Sequence, residues 1–224
     1  MNKRTTASIA RQTESILATN KVLRNTYLLL SMSFMFSALM AYTSFAMHAP
    51  PVHPLFFIVG AYGLIFLTHA LKNSPWGLAS VFAFTGFMGY TLGPMLNAYI
   101  ATFSNGAQLI GTALGGTGLI FLALSGYVLT TRKNFNYLGG FLFVAVMVAF
   151  LAMIASFLFQ MPALQLFISA AFILISSGLI LFHTSEIIHG GEQNYIVATV
   201  SLFVAIYNLF ISLLHILSAF SGRD

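Results

Sequence analysis

Residues 141–159 read FLFVAVMVAFLAMIASFLF, nineteen positions of which only Ser156 is polar. As a helix such a run is apolar on every face and has no side to turn towards water. It does not read as a barrel strand either, because membrane strands of about ten residues alternate apolar and polar side chains. The run is close to the ~20 residues that cross a hydrocarbon core as helix. Lipid is therefore the solvent of this segment.

Working outward between charges, prolines and polar clusters, the same criterion finds six further runs. The seven lie at Thr26–Met47, Leu55–Leu71, Trp76–Ile100, Ala107–Thr130, Tyr137–Phe159, Ala163–Phe182 and Asn194–Phe220. The expected fold is an all-α integral membrane protein, a bundle of seven transmembrane helices. Composition agrees: 58% of the 224 residues are hydrophobic and 6% are charged, against about 25% charged in a soluble domain. Soluble enzymes and nucleic-acid-binding domains are excluded. The net charge of +5 does not restore the latter, since the basic residues are scattered through loops instead of forming a patch that follows phosphates. With no Cys in the chain, disulfides, thiolate metal sites and cysteine nucleophiles are excluded as well.

Residues 1–25 are polar and rich in Thr, Ser and basic side chains, and no cleavage site precedes the first apolar run. They read as a retained, mobile cytoplasmic tail rather than a signal peptide, leaving 26–224 as the transmembrane domain. With the tail inside, Lys3, Arg4, Arg11, Lys21, Arg24, Lys72, Arg132 and Lys133 fall on the cytoplasmic side, and only Arg223 outside. That asymmetry places the amino terminus in the cytoplasm and, after seven crossings, the carboxyl terminus on the opposite side.

Polar groups within the spans are costly, so each is packed and hydrogen-bonded or functional. In the seventh span Asn194, Ala198, Ser201, Ala205, Asn208, Ser212, His215 and Ala219 recur at steps of three and four, which puts them on one helical face. A stripe of small and polar groups suits close helix contact, so the last helix is expected at the centre of the bundle. Asn208, near mid-membrane, either bonds a neighbouring helix or lines a polar pathway together with Ser201, Ser212 and His215. In the fourth span Gly111, Gly115, Gly116 and Gly118 are expected to bring helix backbones together. In the third, Pro94 after Gly93 removes the amide that would bond the Tyr90 carbonyl, predicting a kink with Asn97 near the freed groups. Such a break can also mark a transport site.

The connection before the last span contains His183, Glu186 and His189 at spacings of three. On a continuing helix Glu186 shares a face with each histidine, a trio that could sense pH, relay protons or hold a divalent metal. Against a shared site, the two histidines diverge by roughly 120° around the axis, and Gly190-Gly191 should end the helix before Glu192 joins. A polar helix end in water is the plain alternative. No zinc-hydrolase, nucleophile-elbow or phosphate-loop motif is present and no pair of intramembrane carboxylates stands together, so neither catalytic residues nor a cofactor or resident metal is assigned.

Gly86-Phe87-Met88-Gly89-Tyr90-Thr91-Leu92-Gly93-Pro94-Met95-Leu96 and Ser201-Leu202-Phe203-Val204-Ala205-Ile206-Tyr207-Asn208-Leu209-Phe210 resemble the third-helix and last-helix signatures of the Bax inhibitor-1 (transmembrane BAX inhibitor motif) family. Residues 21–27, 127–133 and 188–192 look like one bacterial branch of it. The resemblance implies an inner-membrane protein that binds the membrane AAA protease FtsH and restrains its degradation of membrane proteins, with the tail as a grip for the protease. It also implies, as the alternative, a pH-sensitive proton or calcium leak gated by two aspartates on the last two helices. Here those positions hold His183 and Ala205, so that gating chemistry is not expected to carry over.

Overall fold

The computed structural model describes residues 3–222, with side chains from position 21 onward except at 157 and 162. Its seven helices are α1 (Lys3–Ala46), α2 (Pro54–Leu71), α3 (Trp76–Thr102), α4 (Gly106–Thr131), α5 (Leu138–Phe159), α6 (Pro162–Ile188) and α7 (Tyr195–Phe220), and among the described residues there is no strand. Their ends follow local chemistry. His48, Arg132 and Gln160 take left-handed backbone, with φ of 49°, 51° and 47°, which terminates a helix because the next amide can no longer continue the ladder. Prolines restart the chain at Pro54 and Pro162, where a missing amide costs nothing.

The amino-terminal segment departs from the expected tail. From Lys3 it is helix continuous with the first span, because no Gly or Pro interrupts the chain before Pro50. At 44 residues α1 is about 66 Å long, twice the hydrocarbon thickness of about 30 Å. The stretch apolar enough to span is Lys21–Ala46; the helix amino-terminal to it lies beyond the span.

Among the described residues six helices are long and apolar enough to cross a membrane, and the one falling short is α3. It is also enclosed on several sides, packing on α1, α2, α4 and α7 and carrying glycines into its contacts with α1 and α7. Burial ranks the rest: in the most apolar stretch of α7, 67% of residues are buried, against 11% in α2 and in α5. The last helix is the axis of the bundle, as its small and polar stripe predicted. It packs with α6, α4 and α1. Phe203 of α7 stacks on Phe34 of α1 at 4.9 Å and meets Phe84 of α3 edge-on at 5.9 Å. The segment 141–159 that reveals the membrane is the outermost helix, packed on α6 alone.

Candidate functional site

The connections α2–α3, α4–α5 and α6–α7 are joined to one another by hydrogen bonds and so lie at one end of the bundle, the end that carries Lys72, Arg132 and Lys133. Asn194 organises the first junction. Its side-chain oxygen caps α7 by accepting from the amides of Ile196 and Val197, and its Nδ2 donates to the Lys72 carbonyl and to Asn73 Oδ1, both at 3.0 Å. Ser185 organises the second. Its hydroxyl accepts from the Phe135 amide at 2.8 Å and donates to Asn136 Oδ1 at 3.2 Å. On the same connection Lys133 stands 5.6 Å from the centroid of the Tyr127 ring, and a hydrogen bond that its ammonium donates to the Tyr127 hydroxyl holds its pKa above the ordinary lysine value.

α6 continues through His183 and Glu186 and stops at Ile188, with His189 as its cap and Gly190 following at φ +74°. His183 Nδ1 lies 3.5 Å from Glu186 Oε2, both side chains partly exposed. His189 takes no part in that pair. Its Nδ1 lies 2.9 Å from the Ser185 carbonyl and its Nε2 lies 3.1 Å from the Arg132 carbonyl across the cleft. The shared face is thus divided, as the 100° per residue of a helix requires, and among the described residues no three His, Cys, Asp or Glu converge as metal ligands. Glu192 points back into its own loop and accepts from the Asn194 amide at 2.7 Å.

Along α7, Ser201 and Asn208 are half-buried and have no hydrogen-bond partner among the described residues. Ser212 is buried. His215, at the other end, meets Ser169 Oγ of α6 at 2.7 Å. A bond from Asn208 to a neighbouring helix is not made among the described residues, and among the most deeply buried side chains of α7 are large ones, Leu202, Phe203, Leu209 and Leu214. In α3 the helix continues through Pro94. Asn97 serves a different carbonyl from the one expected, donating at 2.9 Å to Phe45 at the end of α1.

The expectations for the glycines exchange places. On α3, a Cβ at Gly93 would stand 2.6 Å from the Phe45 amide nitrogen, one at Gly86 2.6 Å from the Phe36 ring, and one at Gly89 would collide with the Ser37 carbonyl. These residues, of which only Gly93 is read as part of a break, are the seam along which α1 and α3 touch. On α4, a Cβ at Gly111, Gly115 or Gly118 meets nothing within 4 Å, and of the four only Gly116 faces a neighbour, Leu213 of α7, at an ordinary 3.7 Å.

The chain can now be compared with known proteins. The profile described as inhibitor of apoptosis-promoting Bax1 matches residues 19–222. The chain belongs to the Bax inhibitor-1 family. Among relatives of this family member, the modulator of FtsH protease YccA of Escherichia coli K12 is 53% identical over 210 residues, covering 94% of each chain. A Vibrio cholerae protein named only as a membrane protein is 43% identical over 212 residues, 94% of this chain and 95% of that one. Sequence reading missed the roles of Asn136, Ser185 and the Arg132 carbonyl at the loop junction. Their polar character was visible, but they sit in separate connections and no spacing rule links them.

Proposed function

We propose that this protein binds a membrane AAA protease of the FtsH type in a bacterial inner membrane and restrains it, acting as a regulator and not as a catalyst. The observation carrying this reading is the 53% identity to the E. coli modulator, spread over 94% of both chains. The length of α1 supports it physically: the helix beyond the span supplies a handle outside the membrane. We place that handle, residues 1–25, and the loop face in the cytoplasm on the strength of the basic asymmetry, which leaves the carboxyl terminus outside. Deleting residues 1–20 should weaken co-purification with the protease and restore turnover of a second membrane substrate to the rate seen without this protein. Unchanged turnover, with no co-purification of the full chain, would overturn the reading.

A further inference from the structure

A narrow apolar cavity of about 650 Å³ runs along the bundle, with walls from α1 and α4 and a floor from α3 and α7. The backbones of α1 and α4 do not approach each other. Tyr27 bridges them, through its hydroxyl to Ser125 and its ring to Phe121 at 6.1 Å. From Tyr27 to Phe45, its limits on α1, the cavity extends about 27 Å at 1.5 Å per residue, nearly the full hydrocarbon thickness. Its lipid-side rim is exposed at Ser31, Tyr42 and Leu114. Gly118, which lines it, has no neighbour within 4 Å of where a side chain would begin.

Lining and length decide what can enter. The slot is apolar over a length close to the thickness of the hydrocarbon core, which suits a hydrocarbon chain. An apolar cavity of ~150 Å³ admits a six-carbon ring, so this one has room for about four times as many carbons. Charge decides which lipid. Arg24 is exposed, lies one turn before Tyr27, and falls by helical register on the same edge as Ser31 and Tyr42. A cation one turn beyond the end of an apolar slot complements a molecule with a phosphate at one end and a chain at the other.

We infer that the α1–α4 slot is a phospholipid site, holding one acyl chain beneath the Tyr27 bridge with an anionic headgroup against Arg24. The test uses the full-length protein in bilayer discs with equal phosphatidylglycerol and phosphatidylethanolamine of identical chains, followed by native mass spectrometry. Retained phosphatidylglycerol should exceed phosphatidylethanolamine several-fold. Arg24→Gln should abolish that preference, and Gly118→Trp, which fills the slot, should cut retention of both lipids about tenfold. Circular dichroism of Gly118→Trp should match the parent. Should that variant not fold, a phosphatidylglycerol with a photoreactive chain on the parent protein decides the matter: adducts should concentrate in residues 27–45 and 107–121 over the lipid-facing control 141–159. Uniform labelling, unchanged retention in a folded Gly118→Trp, or a preference that survives Arg24→Gln would each overturn the proposal.

Discussion

Two helices of this bundle carry glycines at helical spacing, and the structure uses them in opposite ways. In α3, Gly86, Gly89 and Gly93 all face α1, and Gly89 and Gly93 lie so close to its backbone that a methyl group has no room. In α4, Gly111, Gly115 and Gly118 form an equally regular stripe that meets nothing. The lesson is that small residues permit close approach without causing it. The approach itself needs a partner whose own groups fit, which α1 supplies with Ser37, Ser44 and Phe45.

Alanine substitutions are the direct way to break this comparison, and Gly89 should show the largest effect. Its Cβ would collide with the Ser37 carbonyl, part of a helix that cannot swing aside, so Gly89→Ala should destabilise the protein by about 2 to 3 kcal/mol, at the upper end of ordinary overpacking. A midpoint shift in reversible detergent unfolding measures it. Asn97→Ala leaves the seam's packing intact but removes the bond to Phe45; buried polar contacts in membrane proteins suggest a loss of about 0.6 kcal/mol and at most about 1.7 by the same assay. Gly86→Ala meets only the edge of the Phe36 ring, which can turn, and should cost less than about 1 kcal/mol. Gly115→Ala should be neutral or stabilise by up to about 1 kcal/mol, since it gains helix propensity and meets no obstacle. If Gly115→Ala proved as damaging as Gly89→Ala, the α4 stripe would have a partner outside this chain.

Much of the fold was legible because it follows from local chemistry. The apolar runs located every span, Pro54 and Pro162 marked two helix starts, and Gly190 marked where α6 ends. The small-and-polar register of α7 indicated its central position. The site was less legible. His183 and Glu186 are neighbours because they are one turn apart on α6, a relation that spacing reveals. His189 meets the Arg132 carbonyl across 57 residues of sequence, and Asn194 reaches Lys72 across 122. Pairings of that kind depend on which loops arrive at the same end of the bundle at the same depth.

The sequence by itself determined that this protein lives in lipid, that it is helical, how many helices it has and which of them is the axis, because water and hydrocarbon sort side chains one residue at a time. Only the tertiary structure decided which glycine stripe is a seam and which is open, where His189 directs its two nitrogens, and that a slot remains between α1 and α4. Those outcomes depend on the distance between two backbones, and no single helix carries that distance in its own residues.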